Sequence, residues 1–475
     1  MYFKQIFEEN LAQYSYLIGC QATGEAIIID PMRDIDRYKK IAEAEGLDIV
    51  AAAETHIHAD YLTGLREFAE ESVMIYASDE GNEDWKYEWV KGSDYNYDLV
   101  KDGDRFSIGN IHFEVKHTPG HTPEHVSYLV TDGAAASDPM GMLTGDFVFV
   151  GDVGRPDLLE TAAGQKGVMQ SSARTLYKSV EKFKSMPEYL QVWPGHGSGS
   201  ACGKALGAVP ESTVGYELRY NPSIQASESE QEFVDFILEG QPEPPLYFAR
   251  MKRDNRGGPK VLGSLPNPQK MTVEGLANRA MQQASAVVDT RERTEFMDRH
   301  LKGSLLATYN KAFNTVVGSY VQEDEDIYLI IDENNLEKAV RDLIRIGLDN
   351  IEGYVTPDEL EQFLEDSKNT ERVETITFDD VATLIEDSQY QALDVRKLTE
   401  FNEGHVDGAF NIAHTRLLER KQELDKEKTW LVYCRTGVRA SVATSLLHRD
   451  GFDVKYVNDD VEAWLANRQR EEVRK

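Results

Sequence analysis

A histidine-rich segment, His56-Ile57-His58-Ala59-Asp60, begins shortly after the apolar run of residues 49–53. The apolar run predicts a buried strand, so the end of that strand delivers two imidazoles and a carboxylate into one loop. Imidazole and carboxylate groups together suit Zn, Fe or Mn better than metals that prefer thiolates. The segment therefore predicts a transition-metal site, although one His-x-His pair is weak evidence by itself because surface histidines are common.

Three further motifs place potential metal ligands at turns or strand ends. His121 lies in the turn Thr118-Pro119-Gly120-His121, Asp146 ends the run Leu143-Thr144-Gly145, and His196 lies in Trp193-Pro194-Gly195-His196. In type and order these motifs resemble those of the metallo-β-lactamase superfamily, whose αββα sandwich holds its metals at strand ends along one rim. The resemblance covers roughly the first half of the chain.

The segment Gly154-Arg155-Pro156-Asp157, soon after Asp146, resembles the persulfide dioxygenase branch of that superfamily. In that branch such residues flank a mononuclear iron and help to fix the thiol substrate. The resemblance implies that His56, His121 and Asp146 bind one Fe(II), in the facial arrangement that leaves positions open for substrate and dioxygen. The alternative for the arginine and aspartate of this segment is an ordinary loop ion pair.

The residue at position 61 bears on the number of metals. Hydrolases of the superfamily carry His-x-His-x-Asp-His, and here Tyr61 replaces the last histidine. A phenol with a pKa of about 10 is a poor substitute for imidazole. A second site would keep only Asp60 and His196, which are too few ligands for tight Zn²⁺ binding. We therefore expect one iron per chain and little zinc, with His58, Asp60 and His196 orienting ligands and waters.

A cysteine follows His196 within the Gly/Ser-rich segment 197–203. Cys202 lies six residues beyond a predicted site histidine, so its thiol could face the pocket and carry or receive a sulfane sulfur. An inert structural cysteine is the alternative, and the sequence leaves both open.

The second half of the chain contains an internal repeat with a constant offset of 105 residues. The matched residues are Asp289, Arg291, Phe296 and His300 in the first copy and Asp394, Arg396, Phe401 and His405 in the second. Each copy alternates strand, loop and helix, which predicts a small parallel α/β domain. The second copy resembles rhodanese (sulfurtransferase) domains, in which Asp394 and Arg396 brace the fold rather than do chemistry.

A potential nucleophile ends a buried strand of the second copy, in the loop Cys434-Arg435-Thr436-Gly437-Val438-Arg439. Backbone N–H groups of such a loop, together with the N-terminus of the following helix, form an anion-binding nest. Arg435 and Arg439 add positive charge. Both effects favour the thiolate, so Cys434 is predicted to take up a sulfur atom as a persulfide. The loop is one residue shorter than in the related phosphatases, which favours sulfur transfer.

The first copy lacks this centre. Its strand Tyr328-Leu329-Ile330-Ile331 is followed by Asp332, and neither arginine is matched. An acidic loop repels thiosulfate or sulfite, so this copy is predicted to be a silent rhodanese-like domain that serves as a spacer or docking surface.

These motifs predict an α/β multi-domain protein, an αββα metallo-β-lactamase sandwich followed by two small parallel α/β rhodanese-like domains. We place the dioxygenase domain at residues 1–255 and a Gly/Pro-rich linker at 256–270. The silent rhodanese-like domain is expected at 271–357 and the active rhodanese domain at 372–475.

The composition of the chain limits the classes of partner that it is expected to bind. A net charge of −32 argues against nucleic acid, whose phosphates need Lys/Arg neutralisation. No apolar run approaches membrane-spanning length, and the chain opens without a signal peptide. Its three cysteines are far apart and make no disulfide framework. We expect a cytoplasmic homo-oligomer that binds neither nucleic acid nor membrane.

The sequence thus predicts oxidation of a low-molecular-weight thiol persulfide by O₂ to thiol and sulfite, coupled to rhodanese transfer involving thiosulfate, in sulfide detoxification. The thiol carrier stays open between glutathione, coenzyme A and bacillithiol. Two alternatives remain: a zinc-dependent glyoxalase-type thioester hydrolase, and a sulfur carrier or sensor with a vestigial metal site.

Overall fold

The computed structural model describes residues 1–161, 167–204, 206–241, 243–365 and 368–474. Contacts divide the chain into two units. One comprises Met1–Leu265 with Ile344–Gly347, and the other comprises Pro266–Leu343 with Leu348–Lys475.

The first unit contains strands β1 (Tyr2–Glu8), β2 (Gln13–Cys20), β3 (Glu25–Ile29), β4 (Asp48–Ala53), β5 (Met74–Ser78), β6 (Tyr97–Val100), β7 (Arg105–Ile108), β8 (Ile111–His117), β9 (Val126–Asp132), β10 (Gly141–Gly145), β11 (Val148–Phe149), β12 (Asp152–Val153), β13 (Gln191–Pro194) and β14 (Ser212–Thr213). Its helices are α1 (Asp36–Ala44), α2 (Leu65–Glu70), α3 (Leu158–Thr161), α4 (Met169–Lys184), α5 (Val214–Tyr220), α6 (Pro222–Gln225), α7 (Glu230–Leu238) and α8 (Phe248–Gly257).

Two six-stranded sheets of this unit face each other. One sheet has the order β1-β2-β3-β4-β5-β6 and the other β14-β13-β10-β9-β8-β7. Successive side chains of a strand point to opposite faces. Ile27 and Ile29 of β3 therefore join the core between the sheets, in one cluster with Phe113 and Val115. The intervening Ile28 joins the outer core.

Helices cover the outer faces of both sheets. Tyr38 of α1 and Phe68 of α2 pack in the same cluster as Ile28. On the other side, Leu176 of α4 and Phe233 of α7 pack with residues of the second sheet. The layers are therefore helix, sheet, sheet and helix, and the predicted αββα sandwich is confirmed.

The second unit contains strands β15 (Gln269–Lys270), β16 (Ser285–Asp289), β17 (His300–Leu301), β18 (Leu305–Leu306), β19 (Asp326–Ile330), β20 (Ile351–Val355), β21 (Thr370–Glu371), β22 (Thr375–Ile376), β23 (Tyr390–Asp394), β24 (Phe410–Asn411), β25 (Thr429–Tyr433) and β26 (Asp453–Val457). Its helices are α9 (Val273–Ala280), α10 (Arg293–Asp298), α11 (Phe313–Tyr320), α12 (Glu333–Arg345), α13 (Pro357–Leu364), α14 (Phe378–Leu384), α15 (Leu398–Glu403), α16 (Leu417–Arg420), α17 (Val438–Arg449) and α18 (Val461–Arg474). The last two residues of α12 belong to the segment Ile344–Gly347, which is assigned to the first unit.

The internal repeat appears as two five-stranded parallel sheets, β15-β20-β19-β16-β18 and β22-β26-β25-β23-β24. In each copy the buried arginine of the Asp-x-Arg motif pairs with its own aspartate, Arg291 with Asp289 and Arg396 with Asp394. Both arginines also donate to a backbone carbonyl of the following segment, at Arg299 and Gly404. The two small parallel α/β folds predicted from the repeat are confirmed. Among the described residues, no helix has the length and apolar character needed to cross a bilayer.

Candidate functional site

Strand ends bring the predicted metal ligands of the first unit together. His56 follows β4, Asp146 follows β10, and His196 follows β13, which runs parallel to β10. His121 lies in the turn between β8 and β9. All four side chains are buried. Because these strands end at the same edge of the sandwich, the turn and loop motifs of the sequence converge on one point.

Three of these side chains form a cluster suited to one metal ion. The ligand atoms of His56, His121 and Asp146 lie within 4.8 Å of one another. The Asp146 Oδ2 atom is 3.8 Å from His56 Nε2 and 3.5 Å from His121 Nε2. Among the described residues, neither carboxylate oxygen of Asp146 has a hydrogen-bond partner, although both are buried. A buried, unpartnered carboxylate is costly unless a cation binds it, so these residues fit a divalent metal.

Hydrogen bonds select the nitrogen that each imidazole presents. His121 Nδ1 donates to the carbonyl of Arg155 at 3.0 Å, which leaves Nε2 with the lone pair. The Thr55 hydroxyl uses its proton to donate to Asp30. In its 3.0 Å contact with His56 Nδ1 the hydroxyl must therefore accept, so Nδ1 carries the proton and Nε2 the lone pair. Burial lowers the pKa of both His56 and His121, which keeps their rings neutral. Neutral imidazoles with Nδ1 held by an acceptor are typical of metal ligands.

The side chains of His58 and Tyr61 bind residues outside the cluster of His56, His121 and Asp146. Burial alone would lower the pKa of His58, but its contact with Asp30 raises that pKa to about 9. The ring is therefore protonated at neutral pH and pairs with Asp30 at 3.2 Å. The Tyr61 hydroxyl accepts from the Gln13 amide at 3.1 Å and donates to the carbonyl of Asp30 at 3.3 Å. Burial raises the pKa of Tyr61 well above its usual value, so it keeps its proton.

A second cluster beside Asp146 contains a ligand that the sequence did not assign. The ligand atoms of Asp60, His196 and Cys202 lie within 4.8 Å of one another. His196 Nε2 is 3.3 Å from Asp60 Oδ2 and 3.5 Å from Asp146 Oδ1. Burial raises the pKa of the Cys202 thiol, and Asp60 and Asp146 raise it further. The signal for Cys202 was its position six residues beyond His196, which sequence reasoning noted without counting the thiol as a ligand.

Arg155 and Asp157 form a buried ion pair that also supports the cluster. Two guanidinium nitrogens donate to the two carboxylate oxygens at 3.0 and 2.7 Å. A third donates to the carbonyl of Ala201, next to Cys202. The Arg155 carbonyl accepts from His121. The structure therefore shows the ion pair, and a role for the two residues beside iron and substrate stays a prediction.

The second unit presents Cys434 as predicted, at the end of β25 and before α17. Gly437 has φ of +87°, a left-handed conformation that favours glycine. A Cβ atom there would lie 2.6 Å from both the Tyr456 hydroxyl and the Asn458 Oδ1. The loop is therefore closely packed against the end of β26.

The two arginines of this loop are paired with acids that the sequence did not assign. Arg439 makes a bidentate pair with Glu400 at 2.6 and 2.7 Å. Arg435 is exposed and pairs with Glu462 at 2.9 Å. These pairs reduce the positive charge expected beside Cys434, so the predicted anion binding would depend more on backbone N–H groups and the helix N-terminus. In the first copy, Asp332 follows β19 and is exposed.

Comparisons with known proteins match both halves of the chain. A model of the metallo-β-lactamase superfamily matches residues 9–196, and a model of the rhodanese-like domain matches residues 377–467. A solved metallo-β-lactamase structure from Staphylococcus aureus is 42% identical, with a TM-score of 0.68, and the match covers 75% of this chain and 99% of that one.

Two of the curated relatives each match about half of the chain. The mitochondrial persulfide dioxygenase ETHE1 of Bos taurus is 29% identical over 47% of this chain and 76% of its own length. The probable polyketide biosynthesis zinc-dependent hydrolase BaeB of Bacillus velezensis is 26% identical over 48% of this chain and 89% of its own length.

Proposed function

The chain belongs to the metallo-β-lactamase superfamily and carries a rhodanese-like domain, and we propose that it is a persulfide dioxygenase with sulfurtransferase activity. In the proposed reaction a low-molecular-weight persulfide, dioxygen and water give a thiol and sulfite: R-S-SH + O₂ + H₂O → R-SH + SO₃²⁻ + 2H⁺. The similarity to persulfide dioxygenases supports this reaction, whose physiological role would be sulfide detoxification.

One observation carries the proposal: the buried Asp146 carboxylate, without a hydrogen-bond partner among the described residues, beside two neutral imidazoles. Two imidazoles and one carboxylate form the facial triad of non-heme Fe(II) oxygenases. Tyr61 and His58 are bonded to Gln13 and Asp30 instead, which supports one iron per chain at this triad.

The residues around the triad prepare it for this chemistry. An iron(II) ion held by His56, His121 and Asp146 would supply open positions for substrate sulfur and dioxygen. The Arg155 carbonyl keeps His121 in the tautomer that presents Nε2. The Arg155–Asp157 pair fixes the position of that carbonyl. Burial of the three side chains excludes bulk water, which strengthens electrostatic interactions within the site.

Sulfur transfer is assigned to Cys434 in the second unit. The thiolate attacks the terminal sulfur of thiosulfate, a Cys S–S bond forms, and the S–S bond of thiosulfate breaks, with its electron pair leaving on sulfite. The loop N–H groups stabilise the resulting persulfide anion. Sulfite from the dioxygenase reaction is the acceptor for the reverse transfer, which gives a chemical reason for joining the two activities in one chain.

A zinc-dependent thioester hydrolase is the second candidate, because Asp60, His196 and Cys202 offer a second metal position beside Asp146. Two adjacent metals are a hydrolytic arrangement. Tyr61 weakens this candidate, because its hydroxyl is bonded to Gln13 and Asp30 and supplies no nitrogen ligand to the second position.

The two candidates are separated by anaerobic purification followed by iron and zinc analysis and two assays. We expect about one iron per chain at the triad and dioxygen uptake with glutathione persulfide or coenzyme A persulfide. His121→Ala should abolish that uptake. Thioester hydrolysis by protein holding two zinc ions in the first unit, without dioxygen uptake, would establish the hydrolase instead.

A further inference from the structure

A separate group of metal-ligating side chains lies in the second unit, away from the Cys434 loop residues. It consists of His300, Glu371 and His448, whose ligand atoms lie within 4.8 Å of one another. His300 is buried, and the side chains of His448 and Glu371 are 24% and 29% exposed. The group is therefore open to solvent on one side, which gives an ion a route of entry.

The fold brings the three residues together from distant parts of the sequence. β17 and β21 pair antiparallel, with His300 directly opposite Glu371. Side chains at such positions share one face of the ladder and lie close together. His448 is in the last turn of α17, the helix that begins after the Cys434 loop. The C-terminal end of a helix favours positive charge, so all three contributions suit a cation.

The hydrogen bonding of His300 determines which nitrogen is free to bind an ion. Its Nδ1 donates to the carbonyl of Phe296 at 2.7 Å, which leaves the lone pair on Nε2. Its ring also stacks on the Phe296 ring, with centroids 4.0 Å apart. Fixing Nδ1 on a backbone carbonyl is how proteins commonly orient a metal-binding imidazole.

The internal repeat provides a comparison for this histidine. His405, the match of His300 in the second copy, donates from Nδ1 to the Phe401 carbonyl and stacks on that ring in the same way. The hydrogen bond and the stacking therefore belong to the repeated fold. Around His300 the fold adds Glu371, from the strand β21 between the two predicted domains, and His448 from α17 of the second copy. His405 belongs to none of the ligand clusters found among the described residues.

Charges around the group are compatible with an ion. Burial lowers the pKa of His300 to about 4 and also lowers that of His448, so both rings are neutral at pH 7. Glu371 Oε2 is 3.9 Å from His448 Nδ1, and Oε1 accepts from Lys302 Nζ at 2.6 Å. Lys302 is half-exposed and is the cation that competes for this carboxylate.

We propose that His300, Glu371 and His448 form a binding site for a divalent first-row transition ion, with Zn²⁺ as the preferred occupant. Two imidazoles and one carboxylate are a common zinc ligand set, which leaves a fourth position for water. An ion here would connect β17, β21 and the C-terminal end of α17. This site is independent of the function proposed for the first unit.

Zn²⁺ equilibrium dialysis of the full chain near pH 7.5 tests the site. The proteins compared are the wild type, Glu371→Gln, His448→Gln and the matched control His405→Gln. The first-unit ligands and Cys434 are unchanged in all four, so differences report on this group alone. We expect Glu371→Gln and His448→Gln to bind about one Zn²⁺ fewer per chain than the wild type and His405→Gln.

A fifth protein, Lys302→Met, tests the site without removing a ligand. Loss of the competing ammonium should tighten binding of that Zn²⁺ about two- to fivefold, the range expected for an exposed ion pair. Equal stoichiometry in the first four proteins would overturn the proposal. Weaker binding in Lys302→Met would do the same, and would leave Glu371 as the acid of a surface ion pair.

Discussion

Asp146 is the residue on which metal binding in the first unit depends most. Without an ion its buried carboxylate lies near imidazoles that burial keeps neutral, and has no hydrogen-bond partner among the described residues. Removing its charge should relieve this cost. We expect Asp146→Asn to stabilise metal-free protein by about 1–3 kcal/mol and to abolish both dioxygen uptake and metal binding by the first unit. Denaturant unfolding of chelator-treated protein measures the first effect.

Asp152 provides the matched control for that experiment. It is also a buried aspartate of the first unit, but it accepts hydrogen bonds from Lys204 N at 2.7 Å and from the Ser223 hydroxyl at 2.7 Å. Asp152→Asn should therefore destabilise metal-free protein by about 1–3 kcal/mol. If both variants lose stability equally, Asp146 is a structural residue and the metal assignment is wrong.

His58 gives the metal-free protein a pH-dependent stability. Its pKa is raised to about 9 in the folded protein by Asp30, against about 6.5 when unfolded. The contribution is fully present below pH 6.5 and is lost as pH rises through 9, with a total on the order of 3 kcal/mol. We expect the free energy of unfolding to fall more between pH 6 and 9.5 in the wild type than in His58→Gln. Parallel pH profiles for the two proteins would rule out the buried His58–Asp30 ion pair.

At the scale of elements, the Cys434 loop depends on a backbone conformation as much as on its charged residues. Ala at position 437 would strain the left-handed backbone by about 1–2 kcal/mol and would place Cβ 2.6 Å from Tyr456 and Asn458. We expect Gly437→Ala to lose most thiosulfate–thiol transfer, because the loop must move to relieve this contact. The measurement is sulfur transfer, with thermal unfolding as a check on the fold.

Gly451, just after the C-terminal end of α17, is the matched control. It has φ of +79°, and a Cβ atom added there would have no other atom within 4 Å. Gly451→Ala carries the backbone strain without the steric contact. It should lower stability to a similar extent and keep transfer activity. Equal loss of transfer in both variants would assign the effect to global stability rather than to the loop.

Elements with a strong local pattern could be predicted from the sequence. The apolar residues of β3 and β4 predicted buried strands, and the 105-residue offset predicted two similar α/β sheets. The partners of site residues could not be predicted. Glu400 is 39 residues from Arg439, and Gln13 is 48 residues from Tyr61. No local period indicates such contacts, because they depend on how distant strands and loops meet.

At the scale of the whole molecule, each of the two units contains its own candidate site. His56, His121 and Asp146 all lie in the first unit, and Cys434 lies with its loop in the second. The domain boundaries within the second unit remain a prediction. Because no residue is shared between the triad and the loop, the two activities should be lost independently.

Paired variants test this independence. Cys434→Ser should lose thiosulfate–thiol transfer, since a hydroxyl does not replace the thiolate nucleophile, and should keep dioxygen uptake with a persulfide substrate. His121→Ala should show the reverse. Mass spectrometry after incubation with thiosulfate should find the added sulfur on Cys434 in His121→Ala. An adduct found instead on Cys202, or transfer that survives in Cys434→Ser, would show that the second unit is not the site of sulfur transfer.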